Sequence, residues 1–222
     1  MSLNRPYSDT SLLPSSVPVF PLSRALLLPR GELPLNIFEP RYVTMVDEAI
    51  SRERIIGMIQ PACVGNEAEH GPSLYPVGCA GRITRFVETG DGRYLVTLAG
   101  VCRFRVVEEE PSSAPYRTCR VAYDEFRLDL DAGAGEAEVD RANIVRTLRK
   151  FAELSKLEVD WASIDAAPTE TLVNALAMMS PFGPLEKQSL LEAKDLEARA
   201  EMLIALAELD LAQQGAERPQ FH

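Results

Sequence analysis

Side chains suited to covalent chemistry are thinly spread along these 222 residues. Only two histidines occur, His70 and His222, and histidine is the side chain whose ordinary pKa suits a general base near neutrality. His222 is the final residue and His70 sits in the polar run G-N-E-A-E-H-G-P, so both read as solvated imidazoles. A nucleophilic serine needs a base within reach, yet the sequence holds no G-x-S-x-G turn. Ser155 and Lys156 are adjacent, but neighbours on a helix point about 100° apart and make no dyad. A triphosphate cradle is excluded too, because there is no G-x-x-x-x-G-K-S/T run and no Gly-Lys pair.

Metal ligation fares no better. Cys63, Cys79, Cys102 and Cys119 include no C-x-x-C pair, the spacing from which structural zinc sites are built. Three of them alternate with apolar neighbours, Cys79 with Val77 and Ile83, Cys102 with Phe104 and Val106, and Cys119 with Val121 and Tyr123, the pattern of buried free thiols on strands. No metal or other cofactor is expected. The arginines are more suggestive: Arg82, Arg85, Arg93, Arg103, Arg105, Arg117 and Arg120 crowd one β region, and Arg103 and Arg105 share a strand face. They form either a solvated outer face or a patch for a carboxylate-bearing partner, a small molecule or nucleic acid. A net charge of -10 argues against a polyanion, since nucleic-acid affinity comes largely from neutralising phosphates.

The elements that carry these residues can be read from periodicity. Between Val17 and Tyr42 lie Pro18, Pro21, Pro29, Pro34 and Pro40, which restrict the segment to short extended pieces broken by turns. Val17, Val19 and Pro21 alternate onto one face, as do Leu33, Leu35 and Ile37, and Pro40 opens a helix carrying Tyr42, Val43, Val46, Ala49 and Ile50. Ile55 to Ile59 reads as a central strand buried on both faces, followed by a long irregular loop from Pro61 to Pro76. Gly81 to Glu88 and Arg93 to Ala99 flank Thr89-Gly90-Asp91-Gly92, whose Asp-Gly pair suits a tight hairpin. Strands at Val101 to Glu108 and Tyr116 to Tyr123 complete six or seven, enough to close a small barrel.

Residues 129–138, D-L-D-A-G-A-G-E-A-E, read as a hinge or linker, and beyond them the pattern is helical. Helices are expected over about Ala137 to Ser155, from Pro168, briefly from Pro184, and from an Asp195 cap to about Gln214, where Gly215 ends it, with Trp161 plugging a joint in a connection. The Met and Leu stripes read as core. This divides the chain into a mobile N-terminus (1–16), a β-barrel-like part (17–128), the linker (129–138), a helical bundle (139–215) and a tail (216–222). Apolar residues make up 46% and no run approaches the roughly 20 needed to span a bilayer, so a cytoplasmic protein with no membrane partner is expected.

Several of these segments together resemble the amino-terminal, substrate-binding domain of the ATP-dependent Lon proteases: Pro18-Val19-Phe20-Pro21-Leu22, Leu26-Leu27-Leu28-Pro29, Pro34-Leu35-Asn36-Ile37-Phe38-Glu39-Pro40-Arg41-Tyr42, Val77 to Ile83, Asp91-Gly92-Arg93, Gly100 to Arg105, and Glu186-Lys187-Gln188-Ser189-Leu190-Leu191-Glu192. The resemblance implies an α+β fold, a mostly antiparallel barrel of the pseudouridine-synthase-and-archaeosine-transglycosylase (PUA-like) type with one helix, then a helical bundle. It also implies a non-catalytic, adaptor or chaperone-like module binding unfolded or tagged polypeptides, with a separate Lon-type protease as partner. Leu26, Leu27, Leu28 and Pro29, rimmed by Arg24, Arg30 and Glu32, are the candidate contact, because three consecutive leucines on a strand cannot all face one core. Phe38, Glu39, Pro40, Arg41 and Tyr42 are expected to orient the strand-to-helix corner.

Overall fold

The computed structural model describes residues 5–62, 72–155 and 158–216. Cys63, His70, Lys156, His222 and most of the Pro61–Pro76 loop lie outside them. The barrel is built from β1 (Ser16–Pro21), β2 (Glu32–Ile37), β3 (Ile55–Ile59), β4 (Val77–Glu88), β5 (Tyr94–Glu110) and β6 (Arg117–Ala122), with α1 (Pro40–Ile50) inserted after β2. Their order is β2-β5-β4-β3-β1-β6, and a second pairing of β5 with β6 closes the ring. Only β1 and β3 run parallel. Closure depends on the 17 residues of β5: its first half pairs with β2 and its last residues with β6, while β4 covers the opposite edge. Register shifts at Ala80/Gly81 and Ile83/Arg85 bend the β4–β5 ladder, as bulges do. The two strands expected either side of Gly100 are therefore one. β2 stays at the end of the order with no described strand beyond it, and its Pro34 is exposed.

Phe104 is fully buried, and Gly78 makes room for it: a Cβ there would come within 2.5 Å of its ring. All five residues of β3 are buried, as the continuous apolar run predicts. In the β4–β5 turn the positive φ angles fall on Gly90 and Gly92, on either side of Asp91 rather than on an Asp-Gly pair. The Thr89 N–H closes the loop on the Arg93 carbonyl at 3.1 Å. Corrected as well is the mobile N-terminus, since from Tyr7 onward the chain is fastened to the barrel. Leu13 is buried, the Arg82 guanidinium lies 4.3 Å over the Tyr7 ring, and Tyr123 donates its hydroxyl to the Pro14 carbonyl at 2.9 Å.

The helical part comprises α2 (Arg141–Ser155), α3 (Trp161–Ala166), α4 (Thr169–Met179), α5 (Pro184–Glu192) and α6 (Leu196–Ala216). Asp195 caps α6 through the Ala198 N–H at 2.8 Å, and the helix continues through Gly215. Trp161 opens α3 rather than lying in a connection, with the Arg149 guanidinium 4.2 Å over its ring. Val139, Ile144, Leu172, Val173, Leu196 and Ala200 form a small core of their own. Ala177, Leu190, Leu191 and Leu203, in contrast, belong to the same apolar cluster as the barrel interior.

Beside that shared apolar contact, the seam between barrel and helices carries a buried polar network. Asp129 accepts from the Arg103 backbone N–H at 2.9 Å, from Nε at 2.8 Å and from Nη2 at 2.8 Å. Arg103 Nη1 also donates to the carbonyls of Leu191 and Ala193, and Arg199 Nε to that of Leu190. Carbonyls at the C-terminal end of α5, which have no intrahelical donor, are thus held by one guanidinium from the barrel and one from α6. Gln60 Nε2 reaches the Pro184 carbonyl and Gln188 Oε1, and Gln188 Nε2 reaches the Val77 carbonyl. Lys187 donates Nζ to the Ala177 and Met178 carbonyls at the end of α4, with burial pushing its pKa down to about 8. The Asp129 end of the expected hinge is accordingly pinned rather than loose.

Candidate functional site

The three leucines of the turn offer no surface to a partner. Leu26, Leu27 and Leu28 are 2%, 1% and 0% exposed and Pro29 is buried as well, so the expectation that one leucine stays near the surface is corrected. The strand alternation behind that expectation does not apply, since residues 22–31 form a turning segment between β1 and β2. Arg24 and Arg30 stand in left-handed conformation, φ 66° and 63°, which frees the chain from alternating its side chains. Backbone bonds from Arg30 N–H to the Gly100 carbonyl and from Gly100 N–H to the Gly31 carbonyl, both 2.8 Å, lock the turn onto β5. Leu27 packs against Gly81 and Gly100. The Arg24 N–H binds Gln60 Oε1 at 3.0 Å, while the Arg30 guanidinium forks onto both Glu170 oxygens and the Asp129 carbonyl.

Nor do Arg103 and Arg105 make an open cationic patch. Arg103 is 3% exposed and committed to Asp129; Arg105 lies at the surface but is held bidentately by Glu125 at 2.7 and 2.8 Å. Arg117 and Arg120 are paired with Glu109 and Glu108. A small-molecule or nucleic-acid role for the Arg-bearing strands therefore finds no support in their geometry. At the strand-to-helix corner, Arg41 pairs with Glu39 at 2.8 Å and lies over the Tyr42 ring, which meets Phe20 with centroids 4.3 Å apart. Pro40 takes the first helical turn as expected, and Phe38 is exposed. Cys79, Cys102 and Cys119 are free, buried thiols whose pKa values burial pushes up, Cys102 to about 12 and Cys119 to about 11. Among the described residues no three His, Cys, Asp or Glu side chains converge to hold a metal ion, and no helix is long and apolar enough to cross a membrane.

The concave apolar surface lies instead among the helices. A groove of ≈ 680 Å³ runs between α2, α4 and α6. Its floor and walls include Leu148 and Phe151 from α2, Leu176 and Met179 from α4, Phe182 from the following turn and Ile204 and Ala207 from α6. Met179 is 80% exposed, and Leu148, Phe151, Leu176, Phe182 and Ile204 are half-buried. At Ala175 and Met179 the groove adjoins a smaller cleft of ≈ 200 Å³ between α4 and the barrel, lined by Pro29, Arg30, Gly31, Glu32, Glu170 and Met178. The structure thus places Pro29, Arg30 and Glu32 beside the groove, but not the three leucines inside it. Its residues fall in the stripes that periodicity assigns to core. One signal was available: Ser180-Pro181 ends α4 directly after Met179, which leaves the last apolar residue of the stripe without a following turn to cover it.

The barrel with its docked helices puts the protein in the class of Lon N-terminal domains. It superposes on the Lon N-terminal domain protein from Xanthomonas campestris with a TM-score of 0.57 at 23% identity, over 86% of this chain and 97% of that one. On the N-terminal domain of the Mycobacterium avium complex Lon protease the TM-score is 0.61 at 16% identity, over 87% and 98%. Likeness at these identities establishes the fold alone. Membership rests on sequence: the chain belongs to the family of the ATP-dependent protease La (LON) substrate-binding domain, whose model matches residues 16–208. It is 27% identical over 198 residues to Lon protease 2 of Myxococcus xanthus, covering 87% of this chain and 24% of that protein. To Lon protease 2 of Sorangium cellulosum it is 30% identical over 198 residues, covering 86% and 24%. The chain therefore spans about a quarter of the length of these curated relatives.

Proposed function

We propose that this chain is a non-catalytic polypeptide-binding module, adaptor or chaperone-like in action, which receives unfolded or tagged segments in the groove between α2, α4 and α6. A separate Lon-type protease is the natural partner for what it holds, and a cytoplasmic location goes with that reading. The observation that carries it is the groove itself: a concave, largely apolar surface of ≈ 680 Å³ that leaves Met179 80% exposed, in a chain whose family is a substrate-binding domain. Such a surface is worth burying against a client's side chains, and methionine adapts to clients of differing shape. Binding of this kind needs no nucleotide.

Retention of a permanently unfolded, reduced and carbamidomethylated protein by the immobilised chain, without nucleotide, tests the reading. Ala207→Trp fills the groove from α6 and Met179→Ser trims its rim; both are expected to cut retention at least about fivefold while the thermal unfolding profile stays that of a folded protein. If both folded variants hold the client as well as the parent chain does, the groove is not the site.

A further inference from the structure

We infer that the groove selects one kind of segment, an amphipathic helix whose apolar face is bordered by lysine or arginine; this deepens the polypeptide-binding reading and rests on it. The first argument is electrostatic. Nineteen described residues line the groove, and the charged ones are Glu158, Asp160 and Asp210, three acids with no lysine or arginine among them. Glu158 and Asp160 approach from the stretch ahead of α3 and Asp210 from α6. Asp160 is firmly anionic, since its carboxylate accepts from the Ser163 N–H and hydroxyl and its pKa is lowered by them. The basic side chains of α2, Arg141, Arg146, Arg149 and Lys150, line a different, shallow surface. An occupant that buries its apolar groups here therefore brings its flanks against carboxylates, in a chain already carrying a net charge of -10. Acidic flanks are repelled and basic flanks drawn in.

The second argument concerns the backbone. The groove walls are mainly helices α2, α4 and α6, whose interior N–H and C=O groups are already bonded within each helix. An extended client would find few backbone partners there, and burying its own unpaired N–H and C=O groups would oppose binding. A helical client satisfies its backbone internally and presents only side chains, the way amphipathic helices dock in apolar grooves. Leu148, Phe151, Leu176, Phe182 and Ile204 offer the matching apolar contacts, with Met179 at the rim able to adjust.

The test uses two synthetic peptides of identical helix-forming apolar sequence, one flanked by lysines and one by glutamates, with binding followed by fluorescence anisotropy at low salt. The lysine peptide is expected to bind about tenfold more tightly. In the triple variant Glu158→Gln, Asp160→Asn, Asp210→Asn the preference should shrink to about twofold; asparagine at 160 keeps the cap on α3. A third, proline-interrupted peptide with the same lysine flanks should bind at least about tenfold more weakly than the helical one. Equal binding of the two charge forms, a preference that survives the triple variant, or full binding of the interrupted peptide each overturns the inference. A different result reports on the underlying reading: if Ala207→Trp leaves peptide binding untouched, peptides bind elsewhere and the groove itself is the wrong site.

Discussion

Removing the Asp129 carboxylate should be the most damaging single change at the seam. Asp129→Ala strips Arg103 of the partner for Nε and Nη2 and leaves its backbone N–H without an acceptor, at a site where the two side chains are 4% and 9% exposed. Breaking a buried pair by deleting one partner costs about 3–5 kcal/mol, because the remaining charge stays buried and uncompensated. For a chain of this size each kcal/mol lowers Tm by about 2–4 °C, so the melting point should fall by roughly 6–20 °C. Arg103→Met removes the same pair from the other side, strands the aspartate and loses the donor to the Leu191 and Ala193 carbonyls, but it leaves an apolar stem in place of a buried cation, so its cost should be of similar size. In the double variant neither charge is stranded, and a double-mutant cycle read by equilibrium urea unfolding should give a coupling of about 2–3 kcal/mol. A coupling below about 0.5 kcal/mol, with Asp129→Ala milder than about 1 kcal/mol, would refute the idea that this ion pair holds Arg103 in place to bind the end of α5.

Two glycines provide a matched backbone comparison. A Cβ on Gly100 would sit 2.0 Å from the Leu28 carbonyl oxygen, which belongs to backbone that cannot step aside, so Gly100→Ala should cost about 3 kcal/mol in urea unfolding. Gly92 has open space around it and only its φ of +80° to oppose a side chain, so Gly92→Ala should cost about 1 kcal/mol, and equal costs at the two sites would contradict the packing of the leucine turn on β5. In a Cys63→Ser background, the three remaining thiols should resist an aromatic disulfide reagent at pH 8 until denaturant is added, since burial keeps them protonated. Those groups keep their protons in the folded state after the unfolded chain begins to lose its own near pH 9, so they make stability fall as pH rises beyond that value.

Local pattern revealed most of the barrel and little of the site. Strand alternation around Val17, Leu35 and Phe104, the apolar run of β3 and the Pro40 helix start are consequences of short-range geometry, and they stand in the structure at the expected places. The union of two strands into β5 was not legible, because Gly100 looks like a break until the packing of the Leu28 carbonyl against it is known. The leucine turn misled for a related reason: period two holds only for a strand, and two arginines in left-handed conformation take the segment out of that regime. Arg103 looked like an outward charge because its partner, Asp129, lies 26 residues on in a segment that reads as linker. As for the groove, a helical stripe has the same spacing whether another helix covers it or nothing does, and only the tertiary arrangement separates Val173, fully buried, from Met179 on the same helix.

An unpaired strand edge is where one protein chain can add to another, and the strand order shows where such an edge is confined. Ring closure through β5 and β6 leaves β2, among the described strands, as the one without a second neighbour, and Pro34 stands in the middle of it with no N–H to offer. A stray chain laid along that border finds its hydrogen-bond ladder interrupted, so stacking into fibres is discouraged.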